Sequence, residues 1–546
     1  MLMIGKAHTQ SLPVGTPGLD DYYRRTQLLG KVDSSLSFCA NPFFPTSALH
    51  EKDPFNPSSL SPQVPKSPSP LVPKSPSLSF SLLPVTWTQQ FSTHHPYSLN
   101  DGPMIPARGY QTLLSGGFFA KFSILSVQFR PELVFAENKD FESFTDVHNN
   151  NGAIGAYNSF HSQIDLPEYF PGKPYTKLLP GQSSIRLTAG PVSLGLSSEN
   201  LWWGPGTRNS ILMSNSAAGF YHFTLNTVKP IRTPVGSLEF QVVSGKLETS
   251  NFMGEDQNGN DIYYPDSDDW RYLNAMVFSY QPRWIPGLFL GFTRSFLLMW
   301  QDAKANHNYL PVLLPLAKKD QYGEEEQTYL EDQQFSFFTR WILPASHAEI
   351  YAEYGRGDHN YDLRDMYIRP QNFRAYILGF KKLFYYNTTN GKYVEFNLEL
   401  TQLEQNMTDP IGGVYFAAYG GPVHGNTNQG QMIGAGIGPG SNLQTMSLSW
   451  GQGLDKLGFQ VERFVHNNNL YYGFSNDNRG HWVDINLALL GERSWKNLLF
   501  TAKVEYIRSY NYQYNYSLQQ PDPGNYWAPG KDAYNLQGNV AVSYRF

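Results

Sequence analysis

The stretch ENLWWGPGTRNSILMSN, Glu199 to Asn215, sets two tryptophans against a Gly-Pro-Gly turn and follows them with an arginine and small polar residues. Glycine-rich turns can cradle phosphate, but GPGTRN lacks the third glycine and the βαβ setting of a dinucleotide fingerprint. It also lacks the Gly-Lys-Ser/Thr of a P-loop, so a structural turn is the first reading. Four carboxylates, Glu349, Glu353, Glu395 and Glu399, have the residue type for paired glycosidic acid–base work. On alternating strands, pairing with Lys and Arg across a lumen takes precedence. His94 and His95 are adjacent, so on an extended chain they face opposite ways, and no cysteine or spaced glutamate completes a metal set. DQNGNDIYYPDS, Asp256 to Ser267, starts like a calcium loop, but its glycine is misplaced and Ser267 stands where the closing glutamate belongs. No G-x-S-x-G elbow is present. The chain therefore offers no catalytic residue, metal or cofactor site that its motifs define. The tyrosine run Tyr506 to Ser517 has two readings, stacking on sugar rings or an aromatic girdle at a membrane interface, and the girdle ranks first.

The elements that carry these residues are strands. YVEFNLELTQ alternates Val394, Phe396, Leu398 and Leu400 with Glu395, Asn397, Glu399 and Thr401. HAEIYAEY, WVDINLALL and FTAKVEY repeat the pattern, each with one oily and one polar face. Such a face suits either a sandwich core or lipid. LQGNVAVSYRF favours lipid, because Leu536, Val540, Val542, Tyr544 and Phe546 share one face in the manner of a final outer-membrane strand. The segments 139–183, 302–332, 406–443 and 510–532 read as long external loops, and AGPV, Ala189 to Val192, reads as a short periplasmic turn.

Composition agrees. Only 16% of residues are charged and 15% are aromatic, with 47 glycines, a balance far from that of a helical enzyme. A net charge of −5 supplies no basic field, which excludes nucleic acid as a partner. The single cysteine, Cys39, rules out an internal disulfide. No run approaches the roughly 20 apolar residues of a transmembrane helix, a limit that does not bear on barrels.

Four regions follow. Residues 1–10 read as the remnant of a secretory signal. Residues 11–40 hold a short helix over Thr16 to Gly30, with Asp20 and Asp21 early and Arg24 and Arg25 late, a small element outside the sheet. Residues 41–77, with VPKSPS twice, form a Pro/Ser-rich extended linker. Residues 78–546 form the barrel.

The block from Leu82 to Phe141, the block from Glu199 to Glu248 and LPVGTPGLDDYYRRTQLLGKVDSS near the N-terminus together resemble the capsule assembly Wzi family, most closely its Bacteroidetes-type members. The likeness loosens through the later strands and does not include the Pro-Ser-Lys repeat. It implies an all-β fold, an outer-membrane antiparallel β-barrel of about 18 strands, with a small N-terminal helical element on the periplasmic side. The implied role is lectin-like and not enzymatic: binding or organising capsular or extracellular polysaccharide at the surface of the bacterial outer membrane. Links of relatives to gliding keep a transport, secretion or gliding-motility barrel as the alternative. Outer-membrane lipid and a periplasmic or surface protein are further candidate partners. On this reading Trp202 and Trp203 point opposite ways, one to the membrane interface and one to the lumen or loops. Arg208 is a candidate for a sugar carboxylate, with Asn209 and Ser210 as hydrogen-bond donors. A rigid, fold-defining turn ranks ahead of ligand contact for all of them.

Overall fold

The computed structural model describes residues 10–44, 55, 78–252, 270–305, 307, 309–313, 331–357, 363–387, 391–406, 415–418, 424–477, 479–516 and 531–546. Alternation in the sequence becomes inside and outside in the fold. Along Val483–Trp495, Leu487 and Leu489 are exposed while Asp484, Asn486 and Ala488 are buried. The same division puts Glu395 and Glu399 inside and Val394 and Leu398 on the outer face of Lys392–Gln402. Each strand pairs in antiparallel fashion with its neighbours, and eighteen such strands close into one barrel. Several are built from two pieces, as where Leu125–Phe129 and Glu132–Ala136 are separated by Arg130 and Pro131. The last strand, Ala533–Tyr544, closes on the first, Leu78–Ser92, in a register running from Val85 opposite Tyr544 to Ser92 opposite Gln537.

The outward surface is apolar, with Leu194, Phe223, Leu448, Leu489 and Val504 exposed, and aromatics stand toward its margins, including Trp284, Trp495 and Tyr544 at one end and Tyr221, Tyr510 and Tyr534 at the other. A closed sheet leaves no unpaired edge, and an oily outer band with aromatic rims is what lipid requires. Short turns join strands at one end, among them Gly190-Pro191 within AGPV. In this class that end faces the periplasm. The long connections gather at the other end, and the one expected over 139–183 contains the helices Phe144–Val147 and Asn151–His161 and the strand Tyr175–Leu179.

The lumen is occupied. The helix expected over Thr16 to Gly30 spans Leu19–Leu28 and stands inside the barrel, with the Leu28 carbonyl 2.9 Å from Nδ1 of His347 in a short turn. Its arginines meet the polar wall. Arg24 donates to Glu349 from Nε and Nη2 at 3.0 and 2.7 Å, while Arg340 of the wall binds the other oxygen of that carboxylate. Arg25 lies 3.4 Å from Glu395. Asp21 receives Lys381 at 2.7 Å and also Lys456. Tyr23 of the helix packs edge-on to Phe43 and stacks on Phe38, and beyond the helix Ala40–Asn41 pair as a strand with Trp202–Trp203. The expected linker therefore begins with an ordered pairing at residue 41. Most of the segments 1–10 and 41–77, and the whole of Asp256 to Ser267, lie outside the described residues.

Two tests follow. Glu349→Gln strands two buried arginines, a loss of about 3–5 kcal/mol in urea unfolding of the detergent-folded protein; a change under about 1 kcal/mol would contradict the lock. Leu489→Arg places a cation near mid-membrane and costs about 2–4 kcal/mol in lipid vesicles, whereas a neutral result would contradict the assignment of the outer face.

Candidate functional site

The stretch read first in the sequence is a structural junction in the lumen. Trp203 is fully buried, its indole nitrogen donating to Gln241 Oε1 at 3.0 Å, and Trp202 is buried with its indole donating to the Gly206 carbonyl at 3.1 Å. Neither anchors at the membrane interface, because both belong to the two-residue strand that grips Ala40–Asn41. Gly204 has φ of 106°, a conformation open to glycine, and a Cβ there would meet the Glu353 carboxylate. Past the turn, the amides of Thr207, Arg208 and Asn209 all point at Glu399, at 2.6, 3.0 and 2.8 Å. Three successive N–H groups around one carboxylate form an anion-holding nest, here filled by the protein itself. Arg208 makes a two-pronged pair with Glu462 at 2.7 and 2.8 Å, and the Asn209 side chain donates to Thr401 at 3.2 Å. All four ligand candidates thus have partners within the chain. Trp202 and Arg208 also line a polar lumenal cavity of about 330 Å³ between the helix and the wall. The wall carboxylates behave similarly: Glu353 accepts from Ser336 at 2.6 Å, and the other three are held as described.

A second cavity, of about 290 Å³, lies among the long loops and has aromatic walls. It falls near the lower bound of ligand pockets, with room for roughly one or two sugar rings. Its first wall is local in origin. Ser143 starts a short helix by donating its amide to Asp146 at 2.8 Å, and Asn150 caps Asn151–His161 by accepting from the Ala153 amide at 2.8 Å. The second helix presents Tyr157, Phe160 and His161, and Phe144 stacks on Tyr157 at 4.7 Å with the rings 8° from parallel.

The opposite wall comes from distant loops. Trp482 stacks on His466 at 3.8 Å, and His466 packs against Phe464 at 4.0 Å. Tyr512 and Tyr514 complete it, 5.1 and 5.7 Å from Trp482. They sit on a turn in which Asn511, Gln513 and Tyr514 all have positive φ, near 51°, 55° and 56°. For a bulky residue such as Tyr514 that conformation costs energy and is held by its surroundings, a pattern that concentrates at functional sites. Here Asn511 Nδ2 donates to the carbonyls of Arg479 and His481, both at 3.0 Å.

The tyrosine run therefore divides. Tyr506 and Tyr510 face outward on the strand, while Tyr512 and Tyr514 are buried at the cavity. Sequence reading missed Phe144, Tyr157, Phe160, His466 and Trp482. The signals that mark the first wall are the Ser143/Asp146 capping pattern and the apolar spacing of Ala153, Tyr157 and Phe160; nothing local marks the second wall. His94 and His95 contact each other through Nδ1 at 3.1 Å, and His95 packs on Tyr512.

Burial dominates the electrostatics of this cap. It pushes His161 and His95 from 6.5 down to about 4, and raises Glu168 despite its hydrogen bonds from the Phe144 amide, Gln513 and Tyr157. A histidine held neutral in the folded state binds its proton first when unfolded. Its stabilisation is complete above about pH 6.5 and is lost as pH falls toward 4, by roughly 3 kcal/mol per residue at most. Hydrogen exchange in 144–164, corrected for intrinsic rates, should rise over that window and rise less in His161→Phe; an unchanged protection between pH 7 and 4 would contradict the neutral, buried imidazole.

Set against known proteins, residues 120–469 match the sequence profile of the capsule assembly protein Wzi family. Among solved structures the chain is similar to Wzi of Escherichia coli, an outer-membrane protein described as a carbohydrate-binding β-barrel involved in group 1 capsule assembly. The TM-score is 0.59 at 11% identity, covering 98% of this chain and 100% of that one. Two Pseudomonas aeruginosa barrels, OccK7 and OccD3, align at 11% and 10% identity with TM-scores of 0.38 and 0.40, covering 85% and 86% of this chain and 99% and 91% of theirs. A search of curated protein sequences gives no match.

Proposed function

This chain belongs to the capsule assembly protein Wzi family, and on that premise we propose that it is a non-catalytic outer-membrane barrel that binds and organises capsular or other extracellular polysaccharide at the cell surface. One observation carries the reading: residues 11–44 and 198–220 occupy the lumen around a cavity of about 330 Å³, while an aromatic-walled cavity of about 290 Å³ stands among the long loops. A passive pore needs an open path, whereas a binder can keep its lumen closed and work from the rim. Aromatic planes suit the apolar faces of sugar rings, and the Tyr157, Tyr512 and Tyr514 hydroxyls, which donate to Glu168 and to the Glu142 and Asn467 carbonyls, keep oxygen lone pairs able to accept from sugar hydroxyls. The carbohydrate binding described for the Escherichia coli barrel is consistent with this placement. The wall carboxylates act as partners for the lumenal segment and take no part in hydrolysis.

In this account Phe144, Tyr157, Trp482, Tyr512 and Tyr514 make the contacts, and Trp202, Trp203, Arg208 and Asn209 hold the floor beneath them. Outer-membrane lipid is the partner of the outer band. Binding of capsular and exopolysaccharide fractions from the source cell, measured by calorimetry on detergent-folded protein, tests it. Tyr157→Ala and Trp482→Ala should each weaken binding about tenfold, the effect of losing roughly 1.4 kcal/mol of aromatic contact. Stable single-channel conductance by the intact protein, together with polysaccharide binding that neither substitution affects, would turn the assignment to transport or secretion.

A further inference from the structure

The loop cavity carries more information than its shape, because the charge of its lining is uneven. No lysine or arginine lines it among the described residues, and its one carboxylate is Glu168. That carboxylate already accepts from the Phe144 amide at 3.2 Å, the Tyr157 hydroxyl at 3.0 Å and Gln513 Nε2 at 2.7 Å. The lining imidazoles are packed or paired within the protein. His161 lies against Tyr157 and Phe160, and His466 is 2.7 Å from the Asp484 carboxylate. Loop cations are engaged elsewhere: Lys139 with Glu137 at 2.8 Å, Lys531 with Glu142 at 2.6 Å and Arg479 with Asp477 at 2.8 Å. Arg208 is bound to Glu462 and lines the lumenal cavity instead.

We propose that this cavity selects an uncharged pyranose unit and excludes one bearing a carboxylate, sulfate or phosphate. The proposal rests on the polysaccharide-binding reading above and narrows its ligand class. An anionic sugar entering the site gives up its hydration to aromatic faces and the Glu168 carboxylate, with no lysine or arginine among the described lining residues to replace the lost water. A neutral ring keeps its apolar face against Tyr157, Trp482 and Tyr514 and gives up little. In a polysaccharide that also contains acidic sugars, the cavity would take the neutral units and leave the acidic ones in solvent.

A glycan array printed with neutral saccharides and their uronate-, sulfate- and phosphate-bearing counterparts tests this with the full-length, detergent-folded protein. Wild type is compared with Tyr157→Ala, Trp482→Ala and Glu168→Gln, each first checked for heat-modifiable migration as a folded barrel. The expected result is that signals lost in Tyr157→Ala and Trp482→Ala come from neutral saccharides. Those saccharides should bind at least tenfold more tightly than their acidic counterparts, with little change between 0.05 and 0.5 M salt, and Glu168→Gln should reduce that preference. If the signals lost in both aromatic variants come from acidic glycans and fall with salt, the charge selection is wrong while the cavity remains the binding site. If neither aromatic variant loses any signal, this inference and the proposed site fail together.

Discussion

Buried charge pairing ties the N-terminal segment to the barrel, with Glu349 held between Arg24 of the lumenal helix and Arg340 of the wall. An eighteen-strand barrel encloses more space than its own side chains can fill. Its inner wall must be polar, since the outer face already takes the apolar positions of every strand. That leaves carboxylates inside a confined volume, where an unpaired charge is costly. The arginines of the helix answer that demand at Glu349 and Glu395, and the backbone nest of residues 207–209 answers it at Glu399. The filled lumen is thus a consequence of the wall's own alternation.

The aromatic cavity begins where the lumenal segments stop. The segment from Glu199 to Asn215 rises from the junction at Trp202–Trp203 and forms part of the floor on which the loops assemble, and Ser216 just beyond it reaches the loop cavity. Above that floor, loops from widely separated parts of the chain supply aromatic rings that pack on one another. Tyr514, held at positive φ, and the His466–Trp482 stack fix the positions of these rings in detail. At the other end the packed aromatics, Tyr23, Phe38 and Phe43, belong to the N-terminal segment and not to the short turns.

Much of the barrel was legible in the sequence because alternation is a local signal. The oily and polar faces read from Val394 to Leu400, and from Val483 to Leu489, are the faces the strands present to lipid and lumen. The helix near Thr16 was legible from its charge pattern, but its position was not. Arg24 and Arg25 look like a solvated face until Glu349 and Glu395, more than three hundred residues away, are brought beside them. The aromatic cavity was less legible still, since Phe144, His466, Trp482 and Tyr514 have no shared spacing and meet only when the loops fold. The tyrosine run misleads for a related reason: one periodic string crosses from strand to turn, so its first members face lipid and its later ones face the cavity.

Recognition of polysaccharide at the loop cavity, above an occupied lumen, is the proposal on which the rest depends. A hydrogen-exchange footprint of the detergent-folded protein, with and without an oligosaccharide prepared from the source cell's capsule, tests it most directly. The account predicts new protection in 141–168, 464–482 and 511–516, with residues 11–44 unchanged. Protection confined to 11–44, or opening of that segment on binding, would contradict it and make the lumen the path of the polysaccharide.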